Sequence, residues 1–247
     1  MTNDEFASMT SHKTPFIVAV NKSYFELFKG LKDEANAKFA KTPLGNYVWK
    51  VQSLISDIEQ NLEDIRYTEK MLLNHMPGRL PLKKDMNAAQ DIRYHYENYL
   101  LRTTKIKDMC LLLINQVMGL NLKKGLNMEN QLLKRVDPAY GNFTLVWDYM
   151  KELTDHIKPY RNHLAHNGTV QMSDLAFLSA HYTFDIEHKD FASEFRYEAG
   201  MNGIQRELVE KFTAQTKVYL LGSEQVLKII YIYLGKPFLD NLDLILK

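Results

Sequence analysis

Residues 42–75 read TPLGNYVWKVQSLISDIEQNLEDIRYTEKMLLNH, and their spacing decides the fold. Thr42 is suited to an N-cap and Pro43 to the first helical turn, where a missing N–H costs nothing. Behind them Val48, Val51, Ile55, Ile58, Leu62 and Ile65 recur three and four positions apart, the period of one helix face. The stretch predicts a helix from Thr42 to about His75. His75-Met76-Pro77-Gly78-Arg79-Leu80-Pro81 then removes helical hydrogen bonds at two prolines and supplies a glycine for a turn.

The same period extends outward. Tyr96, Leu100, Thr103, Ile106, Cys110, Leu113 and Val117 predict a second long helix from about Asp85 to Gly119 or Leu120. A short helix is expected over Met128 to Val136, and Asp137-Pro138-Ala139-Tyr140-Gly141-Asn142 has the composition of a turn. Val146, Met150, Leu153, Ile157, Tyr160 and Leu164 predict a third long helix ending at Asn167-Gly168. Residues 173 to about 182 suggest a shorter helix, and Thr183 to Ala199 a loop. Ile204 to Tyr233 predict a last long helix, with Gly222 as a weak point and Pro237 near its end. Four long amphipathic helices joined by short turns bury their stripes as an antiparallel bundle, so the fold class is all-α, with the shorter helices as additions. Residues 1–41 stand outside this pattern as an N-terminal extension, and residues 42–247 form the helical domain.

Composition narrows the possibilities without naming a function. In 247 residues, 45% are apolar and 25% charged, the balance of a packed globular protein rather than of a disordered or fibrous one. Lys plus Arg is 31 and Asp plus Glu is 30, so any nucleic-acid binding needs a local patch. Candidates for such a patch are Arg102, Lys105, Lys107, Lys123, Lys124, Lys134 and Arg135, all of which also read as solvated helix faces. The single cysteine, Cys110, lies in an apolar run and reads as a small buried thiol. The N-terminal apolar stretch is too short for a signal-peptide core, and Val218 to Leu234 is interrupted by Gly222, Glu224 and Lys228, so a cytoplasmic protein with no membrane partner is expected.

Glycine-rich phosphate loops, G-x-S-x-G elbows, H-E-x-x-H pairs and calcium loops are missing from the sequence. The concentration of chemistry is Arg161-Asn162-His163-Leu164-Ala165-His166-Asn167-Gly168, at the end of the third predicted helix. On an ideal helix Asn162 and His166 are about 40° apart, His163 and His166 about 60°, and Arg161 about 140° from His166. His166 points roughly opposite to Leu164, on the side of Asn162 and Asp155, so this polar group faces solvent, a ligand or a second subunit. One reading is a polar helix end whose histidine interacts with the helix dipole. A metal reading uses His163 and His166, perhaps with His156, and lacks a carboxylate and a third ligand. A third reading is phosphodiester chemistry on RNA: a histidine takes a proton from a ribose 2′-hydroxyl, and an arginine holds the phosphate oxygens as charge grows on them. It needs no metal and no other cofactor. The leaving 5′-oxygen needs a proton donor, which a second copy of the chain would supply.

Arg161-Asn162-x3-His166, near the end of a late helix and followed by Gly168, resembles the R-N-x3-H form of the R-x4-6-H motif of the HEPN superfamily. The earlier helix, with Tyr96-Glu97-Asn98-Tyr99-Leu100-Leu101-Arg102 and Lys107-Asp108, is similar to helices of bacterial members, and the resemblance covers about residues 43 to 235. It implies a homodimer through the motif-bearing helix and a metal-independent endoribonuclease of a toxin–antitoxin or phage-defence system, with RNA as substrate and an antitoxin as a further partner. It casts His166 as general acid/base, Arg161 as the phosphate contact and Asn162 as the residue orienting its polar neighbours. His163 is an added imidazole that competes for the same contacts. Family members place an acidic residue on an earlier helix. Glu97 and Asp108 are the candidates, but three helical turns separate them, so at most one serves the site; Asp108 also reads as an i, i+3 partner of Lys105. The alternative within the same superfamily is a non-catalytic nucleotide-binding or protein-interaction module.

Overall fold

The computed structural model describes residues 13–29, 38–77, 88–125, 127–140, 143–170, 172–187 and 195–247. Among these residues the chain runs through α1 (Pro15–Phe28), α2 (Pro43–Asn74), α3 (Ala88–Val117), α4 (Met128–Tyr140), α5 (Phe143–Asp155), α6 (Lys158–Asn167), α7 (Ser173–Glu187) and α8 (Phe195–Leu246), with no strand. The all-α class and its bundle of long helices are thus observed. The apolar stripes account for them: Val48, Val51, Ile55, Ile58, Leu62 and Ile65 of α2 are buried, as are Tyr96, Leu100, Thr103, Ile106, Cys110, Leu113 and Val117 of α3.

The chain divides into two compact units. The first takes Met1–Gln60, Ile106–Leu153 and Gly222–Lys247. In it α2 and α8 run antiparallel: the Tyr47 ring stacks on Phe238 at 5.7 Å, and the Tyr231 hydroxyl donates to Glu59 Oε1 at 3.4 Å. α5 is antiparallel to α8 through Phe143 against Tyr233 and Leu153 against Gly222. α1 adds Phe16, which meets both Tyr231 and Phe238. Glu129 of α4 accepts from the Trp147 indole at 2.9 Å and pairs with Lys107 Nζ at 2.9 Å, tying α3, α4 and α5 together. Cys110 is fully buried, and burial pushes its thiol well above the usual range, so it is an inert core residue.

The second unit takes Asn61–Lys105 and Thr154–Leu221. Asn61 Nδ2 donates to the Arg102 carbonyl at 2.8 Å, Arg102 pairs with Asp64, and His75 reaches Asp91, an antiparallel progression of α2 against α3. α3 runs parallel to α8: the Tyr96 hydroxyl donates to Gln215 Oε1 at 3.2 Å and the Tyr219 hydroxyl to the Thr103 carbonyl. Tyr96 stacks on Phe212 with ring centroids 3.8 Å apart.

Four expectations change. The third long helix is two helices, α5 and α6, with a turn at residues 156–157. Pro159 has no N–H for the Asp155 carbonyl and crowds it, and the chain closes with a tighter bond from the Ile157 N–H to the Thr154 carbonyl at 3.1 Å. The break rotates the stripe, leaving Tyr160 half-exposed while Leu164 stays buried. Second, α4 continues through the expected turn to Tyr140, carried on from turns anchored by buried Leu132 and Val136; residues 141 and 142 lie outside the described residues. Third, part of the expected loop over 183–199 is helical, because α7 runs to Glu187 and α8 starts at Phe195; residues 188–194 lie outside the described residues. Fourth, α8 passes through both Gly222 and Pro237. Gly222 is a close approach, since a Cβ there would lie 2.7 Å from Leu153 Cδ2, and Pro237 is carried by the burial of its neighbour Phe238 among aromatic rings. Packing overrides the local preference at both places. The predicted stop at residues 75–81 begins at His75 as expected, and its continuation from residue 78, with the predicted start of α3 at residues 85–87, lies outside the described residues.

Candidate functional site

The motif occupies α6, a helix with its own start and stop in the second unit. Pro159 lies in its first turn, and Gly168 caps its end at φ +75°, its N–H donating to the Leu164 carbonyl at 2.8 Å. Only a residue without Cβ adopts that conformation without strain, which is why the helix ends there. Leu164 is the single buried side chain of α6, and it fixes which face looks outward.

His163, His166 and Asn167 are exposed on that outward face, and Arg161 and Asn162 are half-buried. Arg161 Nη1 donates to Asn162 Oδ1 at 3.2 Å, and among the described residues the guanidinium forms no ion pair. Its donor fork is therefore held at one end by the adjacent amide and, among the described residues, carries no carboxylate, which suits it to an anion. His163 is engaged locally: Asn167 Nδ2 lies 3.1 Å from its Nδ1 and donates to its carbonyl at 3.1 Å. The structure thus joins Arg161 to Asn162 and His163 to Asn167, and leaves the His166 ring exposed.

Of the two acidic candidates, Glu97 meets the segment that follows α6. Its Oε1 accepts from the Thr169 hydroxyl at 2.9 Å and from the Val170 N–H at 2.8 Å. Both donors belong to residues just past the Gly168 cap, and Val170 is buried, so a carboxylate of α3 holds the exit of the motif helix. Asp108 is exposed and falls in the other unit. Beside the exit lies an open depression of about 460 Å³, lined by Arg93, Thr169, Val170, Met172, Ser173 and Ala176. Arg93 stands one helical turn before Glu97, and among the described residues its Nε is buried without a hydrogen-bond partner.

Several basic candidates are already committed elsewhere. Arg102 is paired with Asp64, and Lys107 is held between Glu129 and the Trp147 ring. Lys105, Lys123, Lys124 and Lys134 are exposed, and Arg135 donates to the Leu120 carbonyl.

Two further groups come together only in the folded chain. Thr169 and Val170 follow the motif without any signal of their own, and only the folded chain shows them on Glu97. His75, Asp91 and His95 converge in the second unit, with one ligand-type atom of each within 4.8 Å of the others. Asp91 and His95 are four apart on α3, a spacing that places both on one helix face, whereas His75 reaches them only through the turn after α2.

Among the described residues no helix is long and apolar enough to cross a membrane. Comparison with curated proteins and with solved structures finds no match for the chain. The family model described as HEPN_Cthe2314-like HEPN matches residues 47–217, from the start of α2 into α8, a span that includes α6 and Glu97. With most of the chain inside that match and an all-α bundle around it, the protein belongs to the HEPN superfamily.

Proposed function

We propose that this HEPN protein is a metal-independent endoribonuclease whose active groups are Arg161, Asn162 and His166, working as a homodimer that brings two copies of α6 together. The observation that carries the reading is the outward presentation of the motif: Leu164 anchors α6, His166 is exposed, and Arg161 holds its guanidinium beside Asn162 with no carboxylate neutralising it among the described residues. In this reading His166 takes the proton of a ribose 2′-hydroxyl as its oxygen attacks the adjacent phosphorus. Arg161 holds the non-bridging oxygens as negative charge builds on them. The P–O5′ bond breaks, the 5′-oxygen receives a proton from His166 of the partner subunit, and a 2′,3′-cyclic phosphate remains. Asn162 orients Arg161. In this reading Glu97, rather than Asp108, is the acidic positioning residue, holding the exit of α6, and the depression beside Arg93 receives the flanking chain of the RNA. His163, bonded to Asn167, is a neighbour rather than a reacting group. Residues 42–247 would carry this activity with residues 1–41 as an addition, in the cytoplasm, and under the control of an antitoxin in a toxin–antitoxin or phage-defence setting.

The test is incubation of the purified protein with generic single-stranded RNA in excess EDTA, alongside sedimentation to read its oligomeric state. We expect a dimer, fragments ending in cyclic phosphate, and a loss of about 10²–10⁴-fold in rate for His166→Ala with an unchanged far-UV circular dichroism spectrum. Undiminished cleavage by that variant overturns the assignment. A protein that binds nucleotide or dimerises through α6 without cutting RNA is instead the non-catalytic module of the same superfamily.

A further inference from the structure

His75, Asp91 and His95 form a second cluster of chemistry in the same unit, and the motif makes no use of it. His75 is the first residue after α2, and Asp91 and His95 share a face in the first two turns of α3. The three side chains are 10%, 11% and 9% exposed, so they are largely withdrawn from water. His75 Nε2 lies 2.8 Å from Asp91 Oδ2, and His95 Nε2 lies 3.8 Å from Asp91 Oδ1. Both carboxylate oxygens are thus flanked by imidazole nitrogens.

Direct hydrogen bonding does not account for the arrangement. His75 Nε2 is close to the carboxylate, yet among the described residues it is buried without a hydrogen-bond partner, so the ring is turned such that its N–H direction misses the oxygen. Buried polar atoms are paired in nearly all folded proteins, and an orphan next to a carboxylate needs another partner. The second histidine is separated from the same carboxylate by a gap too long for a hydrogen bond. Two nitrogens and one carboxylate that converge without bonding one another share a common centre, and ligand atoms around a tetrahedral Zn²⁺ stand roughly 3.3 Å apart, as follows from bond lengths of about 2.0–2.1 Å. The separations of 2.8 Å from His75 to Asp91 Oδ2 and 3.8 Å from His95 to Asp91 Oδ1, each to a different oxygen, lie on either side of that value, and one ligand-type atom of each of the three residues lies within 4.8 Å of the others.

We propose that His75, Asp91 and His95 bind a divalent transition-metal cation, Zn²⁺ foremost, through two imidazole nitrogens and one carboxylate oxygen, with water completing the coordination. Imidazole with a single carboxylate suits Zn²⁺ and its borderline neighbours better than Ca²⁺ or Mg²⁺, which take oxygen ligands almost exclusively. The cation joins the end of α2 to the start of α3. Gln205 of α8 supports the arrangement from behind, donating its amide N–H to the His75 carbonyl. The cation takes no part in the chemistry assigned to His166, and the proposal stands or falls independently of it.

The experiment is titration of the full-length protein, stripped with EDTA and dialysed, with Zn²⁺ in competition with a chromophoric chelator, together with thermal melts. One Zn²⁺ per chain and a higher melting temperature in its presence are expected, because the cation binds the folded chain. His95→Gln and Asp91→Asn should each weaken binding by about 100-fold, while a variant carrying both His163→Ala and His166→Ala keeps the full equivalent. Should the cluster variants fail to fold, Co²⁺ loaded into the wild-type protein provides a second readout: ligand-field bands of a low-coordinate nitrogen and oxygen site that Zn²⁺ abolishes. Absence of saturable Zn²⁺ binding, Co²⁺ bands of the free hexa-aqua ion, or a bound equivalent that survives His95→Gln and disappears with His163 and His166 each overturns the proposal.

Discussion

Glu97 shows what a single side chain decides in this protein. Two donors of the segment behind α6, the Thr169 hydroxyl and the Val170 N–H, end on one carboxylate oxygen of α3. Removing it leaves a buried backbone N–H without an acceptor, so Glu97→Ala is expected to cost about 1–3 kcal/mol in urea melts. It should also slow the proposed RNA cleavage by loosening the exit of α6, whereas Asp108→Ala, on an exposed position, leaves both unchanged within error. Gly168 acts on the same junction through the backbone. Its φ is +75°, and no atom lies within 4 Å of the point where a Cβ would stand, so the whole penalty of Gly168→Ala is conformational. A loss of about 1 kcal/mol and a lower melting temperature are expected.

Pro159 is responsible for the most consequential change between elements. By breaking the expected helix it gives the motif a separate ten-residue support, α6, instead of the last turns of a longer rod. The α3–α4–α5 tie through Glu129 is the other element-level device. Burial pushes the Glu129 carboxyl up, but the Trp147 indole, the Lys107 ammonium and the Lys151 charge together hold it below the ordinary range. A carboxyl that ionises more easily folded than unfolded contributes stability above its unfolded pKa and loses it as pH falls through the folded one. Glu129→Gln should therefore cost about 1–3 kcal/mol at neutral pH. The difference from wild type should shrink as urea melts are repeated into the acid range, and a constant difference would contradict the assignment.

At the scale of the molecule, the second unit is held by an aromatic column running from α3 to α8. Tyr96 lies flat on Phe212, and Tyr99 meets Tyr219 edge-on. Burial, and next the neighbouring Tyr160 hydroxyl, push the Tyr96 phenol up to about 12. A phenol harder to ionise when folded contributes stability that is complete below the ordinary tyrosine value and is lost as pH rises through that value toward about 12. Alkaline titration followed by tyrosinate absorbance should show Tyr96 ionising late, together with unfolding, and Tyr96→Phe should reduce that alkaline sensitivity.

The all-α class and the buried faces of α2 and α3 could be read directly from the chain, because a helix repeats every 3.6 residues and the side chains on its core face are predominantly apolar wherever they lie. The Arg161-Asn162-x3-His166 constellation was legible for a similar reason: its members are neighbours in sequence, and their angular relation follows from helix geometry alone. Where α8 ends could not be read so, since Gly222 and Pro237 interrupt helices by local preference and are overruled by Leu153, Phe16 and Tyr47, which are remote in sequence. Tertiary structure alone put Glu97 on the Val170 N–H and brought His75 to Asp91 and His95. Those contacts depend on the register in which separate helices pack, and packing register is set by the whole core rather than by any one segment.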